Sequence, residues 1–133
     1  MSKPIHQTIE FPVPPHTVYE ALMDSKKHAR FTHSAARISR KVGGAIMAYD
    51  GYITGRNLEL APDSKIVQAW RAVDWPEGVL STVTFELTST SNGTRLDFTH
   101  TQLPEGSEQE FAQGWQENYW QPMQAMFTSS PEA

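Results

Sequence analysis

Residues 107–127 read SEQEFAQGWQENYWQPMQAMF, and their pattern predicts one long helix around which the rest of the chain is arranged. At about 100° per residue, Phe111, Trp115, Tyr119 and Met123 fall together with Trp120, Met126 and Phe127 on an arc of about 180°. Gln113, Glu117, Gln121 and Gln124 occupy the opposite side. Ser107 stands three residues before Glu110, the spacing of a capping box in which each side chain takes the other's amide. At ~1.5 Å per residue such a helix is about 30 Å long, the width of a small domain. Pro122 lies inside it and cannot donate to the Asn118 carbonyl, so a bend is expected between Asn118 and Pro122. The bend has two readings: a kinked core helix, or a kink that opens space for a ligand beside Trp115 and Tyr119.

A half-circle of aromatic surface needs a large cover, and the preceding sequence supplies strands. Ile5, Gln7, Ile9 and Phe11 alternate with His6, Thr8 and Glu10, the pattern of a half-buried strand. Pro12, Pro14 and Pro15 end it and suit a helix entry, where a missing amide costs nothing. Val18, Tyr19, Leu22 and Met23 mark a short amphipathic helix. Asp24-Ser25 breaks it, with Ser25 as the expected cap of a second helix reaching about Phe31. From Ala35 the texture becomes strands: Ala36–Arg40, Ala45–Asp50, Tyr52–Thr54, Asn57–Leu60, Ile66–Val73, Val79–Thr88 and Thr94–Thr101. Gly43-Gly44, Gly51, Gly55 and Pro62-Asp63 separate the earlier runs. Asn92-Gly93 is expected to form a type I′ hairpin turn. Short turns between strands imply an antiparallel sheet with one buried face. The fold class is therefore α+β: a strongly curved antiparallel sheet of about six to seven strands wrapped around the long C-terminal helix, with two short helices after the first strand. Residues 1–127 are expected to form one domain and 128–133 a loose tail.

Composition narrows function mainly by exclusion. A formal charge of -4, with no basic stripe, argues against nucleic acid. The chain contains no cysteine, which removes disulfides, thiol catalysis and cysteine-zinc sites. No apolar run approaches the ~20 residues of a membrane span, and the first residues lack a signal peptide's apolar stretch. The expected location is the cytoplasm.

Six motifs follow one another in order: Gly43-Gly44, Asp50-Gly51-x-Ile53-x-Gly55, Ile66-Val67-x-x-Trp70-Arg71, Trp75-Pro76-x-Gly78, Gly93-Thr94 and Gly114-Trp115-x-x-x-Tyr119, with Phe31-Thr32-His33 ahead of them. Together they resemble the C-terminal domain of the activator of heat-shock protein 90 ATPase and its free-standing homologues. That family belongs to the START-like, birch-pollen-allergen-like (SRPBCC) superfamily. The resemblance implies the helix-grip fold and covers nearly the whole chain. The family's eukaryotic activator also has a separate N-terminal domain associated with chaperone binding, for which 133 residues leave no room. Ile46 stands where the family often has Phe, which implies a smaller lining residue.

Few residues point to chemistry. The five histidines, His6, His16, His28, His33 and His100, show no metal-ligand spacing on one helix face and read as surface groups. His100 differs because it continues the Leu96-Phe98 face towards the interior or its mouth. Gln68 shares the inward side of its strand with Ile66 and Trp70 and needs a partner there. Arg71 faces outward, towards Glu59 on a neighbouring strand. Asp74 and Glu77 are explained by their turn, and Ser81 lacks a nucleophile-elbow context. The expected catalytic set is thus empty, with no metal and no cofactor. The expected ligand-binding set joins Phe31, Trp70, Phe85 and Phe98 to Trp115, Tyr119 and Met123, with Gln68 and His100 as its polar members. The same residues also read as a closed core. The expected function is to bind an apolar or amphipathic small molecule between sheet and helix. The alternative is a co-chaperone-like or stress-response module with a chaperone or other protein as partner.

Overall fold

A computed structural model describes residues 3–129. Strand β1 (Ile5–Phe11) is followed by helices α1 (Pro15–Met23) and α2 (Ser25–Thr32). Six further strands follow: β2 (Arg37–Ile38), β3 (Ala45–Ala48), β4 (Ile53–Ala61), β5 (Lys65–Ala72), β6 (Ser81–Thr90) and β7 (Gly93–Thr101). Helices α3 (Glu108–Trp115) and α4 (Gln121–Ser129) close the chain, joined without a break by a π turn at Gln116–Trp120. The strands form one antiparallel sheet in the order β1-β7-β6-β5-β4-β3-β2. The curved sheet holds the C-terminal helix, which is the helix-grip fold in the α+β class. Residues 130–133, most of the expected tail, lie outside the described residues, and α4 itself continues to Ser129.

Period-two alternation fixes the sheet's inner face. Ile66, Gln68 and Trp70 on β5, Val83, Phe85 and Leu87 on β6, and Leu96, Phe98 and His100 on β7 are all buried. Trp115, Tyr119, Trp120 and Met123 meet them from the helix, while Gln113, Glu117, Gln121 and Gln124 face solvent.

Local signals differ from expectation in several places, each for a geometric reason. Ser107 does not form a capping box. Its backbone, at φ -100° and ψ 0°, is not extended, and its hydroxyl donates to the Pro104 carbonyl at 2.6 Å. The Glu108 carboxylate instead accepts the Lys3 and Gly106 amides at 3.0 and 3.1 Å. Asp24, not Ser25, caps α2 by accepting the Lys27 amide at 3.0 Å. The Ser25 hydroxyl accepts the Ile38 amide at 2.8 Å and ties β2 to the helical pair. Gly55 does not interrupt a strand but lies within β4, where a Cβ would sit 1.8 Å from the Ala69 carbonyl oxygen. Asn92 does not adopt the positive φ of a type I′ turn. Gly93 instead begins β7, where a Cβ would meet the Phe11 carbonyl oxygen at 2.1 Å. Glycine there serves the close approach of β1.

Pro122 acts as expected on the hydrogen-bond ladder, but the chain answers with a wider turn. The Gln121 amide bonds the Gln116 carbonyl five residues back, the pattern of a π bulge. The Asn118 carbonyl, deprived of a residue-122 amide, accepts the Tyr49 hydroxyl at 3.3 Å. Because that carbonyl already has a partner, Pro122→Ala should change stability by less than about 1 kcal/mol, not by the ~3 kcal/mol with which a helix interior usually favours Ala over Pro. A variant melting several degrees above the parent would refute this.

Candidate functional site

The space between sheet and helix is occupied mainly by rings. Trp115 lies at their centre, with ring centroids 4.3 Å from Phe98, 4.4 Å from Tyr119 and 4.9 Å from Trp70. Phe85 packs edge-on to Trp115 at 5.9 Å. Phe31 reaches the same cluster from α2, with its ring 5.4 Å from Tyr119. Met123 is fully buried. All nine residues expected to bind ligand are thus inside the grip, packed against one another over much of their surface.

Two polar chains cross this interior. The Trp115 indole N–H donates to His100 Nδ1 at 3.0 Å, which leaves Nε2 as the protonated nitrogen, 2.8 Å from Ser81 Oγ. The Ser81 hydroxyl in turn donates to the Trp70 carbonyl at 3.4 Å. His100 is wholly buried, and burial lowers its pKa to about 3. With both ring nitrogens engaged and no carboxylate bonded to it, His100 orders the core and is unsuited to act as a base.

The second chain gives Gln68 the partners it requires. The Trp70 indole N–H donates to Gln68 Oε1 at 2.9 Å, and Gln68 Nε2 donates to Asn57 Oδ1 at 3.0 Å. Asn57 Nδ2 then donates to the Ser39 and Lys41 carbonyls at 2.7 and 3.0 Å. The Asn57 backbone also bonds Gly43 and Gly44, so this one residue holds the glycine turn before β3 to the core. Asn57→Ala would leave these buried groups unpaired and should cost about 2 kcal/mol, read as a lower urea midpoint. An unchanged midpoint would contradict that role.

His28 is the clearest departure from the sequence reading. It is 3% exposed, not a surface group, and its Nε2 lies 2.7 Å from the Tyr119 hydroxyl. Its Nδ1 has no hydrogen-bond partner among the described residues. Burial lowers the His28 pKa to about 4 and raises that of Tyr119 well above its usual value. His28 and Phe31 are three residues apart on one helix face, a signal present in the sequence. Asn57 and Tyr49 carried none. Arg71 also departs from expectation: it does not meet Glu59 but donates to the Trp75 and Val79 carbonyls at 2.8 and 3.2 Å, pinning the loop before β6. A bulge between Asn57 and Glu59 sets Glu59 opposite Val67, and its cationic neighbour is Lys65 at 3.7 Å.

A half-open pocket of about 230 Å³ lies between the Tyr49–Ile53 turn and the helix. Trp70, Trp115 and Tyr119 form part of its wall. Gln68 and Phe85 border a separate internal space of about 10 Å³ beside His28, room for about one water. Phe31, Phe98, His100 and Met123 border neither. Among the described residues no group of three His, Asp or Glu is placed to hold a metal ion, and no helix is long and apolar enough to cross a membrane.

Comparison with known proteins agrees with this architecture. The family described as Activator of Hsp90 ATPase homolog 1-like protein matches residues 12–128. The human activator of 90 kDa heat shock protein ATPase homolog 1 is 29% identical over 113 residues, covering 85% of this chain and 33% of that protein. The Dictyostelium discoideum homolog is 32% identical over 135 residues, covering 96% of this chain and 35% of that protein. The chain thus spans about one third of the length of these relatives. An HSP90 activator from Plasmodium falciparum superposes with a TM-score of 0.86 at 32% identity, covering 92% of this chain and 94% of that one. The Aha1 dimer from Colwellia psychrerythraea shares the fold, with a TM-score of 0.81 at 18% identity over 94% of this chain and 96% of that one. The motifs from Gly43 to Tyr119, the grip around Trp115 and the match over residues 12–128 place the chain in the Activator of Hsp90 ATPase homolog 1-like family.

Proposed function

We propose that this chain is a protein-interaction module whose partner is a chaperone of the 90 kDa heat-shock class and whose effect is to raise that chaperone's ATP turnover. The observation that carries this reading is the 32% identity to an HSP90 activator of which the chain covers 94%. The filled interior supports it, since most of the aromatic surface expected to hold a ligand is engaged in packing. The buried histidines support it too, because neither is paired with a second titratable group suited to acid-base work at neutral pH. Steady-state ATP hydrolysis by a purified heat-shock 90 chaperone, measured with increasing amounts of this protein, tests it. The expected result is a saturable rise in turnover, matched by binding in calorimetry; no binding and no rise would reject the reading.

A second reading is favoured by the 230 Å³ pocket: a small apolar or amphipathic molecule held at the mouth of the grip. Trp70, Trp115 and Tyr119 would touch it, and Phe31, Phe85, Phe98 and Met123 would support those rings from behind. Gln68 and His100 would act by fixing the two indoles. Native mass spectrometry of the purified protein should then show a retained small molecule.

A further inference from the structure

Six aromatic side chains line the half-open pocket: Tyr49, Tyr52, Trp70, Phe111, Trp115 and Tyr119. They are set at different tilts. The interplanar angle is 34° for Trp70 and Trp115, 48° for Trp115 and Tyr119, and 63° for Tyr49 and Tyr119. Tyr49 is held in place by its bond to the Asn118 carbonyl, in a turn where Tyr49 and Asp50 both have positive φ. The charged side chain among the lining residues is Glu110, at the exposed edge. A second carboxylate, outside the lining itself, is bonded to one of the lining rings: Asp74 accepts the Tyr52 hydroxyl at 3.1 Å. The Tyr52 pKa is raised by burial first, then by that bond and by the negative charges of Asp74 and Glu110. The pocket therefore combines ring walls with a negative rim.

We propose that this pocket binds a small organic cation bearing a quaternary or alkylated ammonium group, with the rings around the charge and Glu110 at the rim. The inference rests on the second reading above, that the pocket takes a small molecule, and adds its chemical class. Ring faces carry a negative quadrupole and attract a cation within about 6 Å of the centroid. An alkylated ammonium loses little hydration on entry, and its methyl groups bury apolar area against the same rings. The carboxylates repel an anion, and a neutral molecule gains only the apolar contribution. The chain's formal charge of -4 adds a weak attraction of the same sign.

The test is an NMR titration of the full chain with choline and, separately, with its neutral isostere in which carbon replaces the ammonium nitrogen. The expected result is choline binding about tenfold tighter than the isostere, with shifts at the Trp70 and Trp115 indoles. Glu110 is exposed, so Glu110→Gln should leave the fold intact and weaken choline about threefold without changing the isostere. Equal binding of the two compounds, or choline binding unaffected by Glu110→Gln, would overturn the cation assignment while leaving the small-molecule reading in place. Binding of neither compound would overturn the cation assignment, and absence of any retained molecule in native mass spectrometry would then remove the small-molecule reading as well.

Discussion

Trp115→Ala should lower the unfolding free energy by roughly 3–5 kcal/mol, the range for removing a large buried aromatic. Trp115 is 3% exposed and contacts rings on β5, β6 and β7 as well as Tyr119 and Trp120 on its own helix. Its removal leaves a void where sheet and helix meet. It also strips His100 Nδ1 of its donor, a second and separable loss. Trp115→Phe keeps most of the ring but not the N–H, and should cost about 1–2 kcal/mol from the unpaired imidazole. Urea unfolding followed by far-ultraviolet circular dichroism measures both. A midpoint for Trp115→Ala close to the parent's would show that this side chain does not anchor the grip. Equal midpoints for the Ala and Phe variants would show that the hydrogen bond, not the ring, supplies the stability.

The architecture was legible because it follows from periodicity. The half-circle of apolar residues from Phe111 to Phe127 requires a cover, and alternating runs such as Ser81–Leu87 and Leu96–His100 supply one. Each inward residue named from those runs is buried. Local terminators were less legible. Ser107 and Ser25 have the right chemistry for caps, yet backbone dihedrals and tertiary partners decide where their hydroxyls go. Gly55 and Gly93 read as turn residues, but each is needed where another strand's carbonyl comes too close for a Cβ. The candidate site was legible in part. Its ring residues lie on the helix and strand faces that periodicity selects. Tyr49 entered through a left-handed turn at φ 52° that no local pattern announces. Asn57 matters because of carbonyls supplied by residues 39 and 41. Function is the least legible level, since a packed core and a ligand wall use the same residue types.

Acid should destabilise the fold well before its carboxylates titrate. His28 and His100 ordinarily would titrate near 6.5, but burial holds them neutral down to about 4 and 3 in the folded chain. The unfolded chain exposes both, so it takes up protons as pH falls through 6.5 while the folded chain does not. The unfolded state then binds more protons, and stability falls with falling pH. This contribution is fully present above the unfolded value and is lost across the window from about 6.5 down to the two folded values. Between pH 7 and pH 5 the expected loss from the pair is on the order of 3 kcal/mol. Urea midpoints at pH 7, 6 and 5 should fall in that order. Imidazole proton shifts provide the independent check: of the five histidines, His28 and His100 should show no titration above pH 5. If those two resonances titrate near 6.5 in the folded protein, both imidazoles are reached by solvent, and the burial assigned to His28 and His100 is wrong.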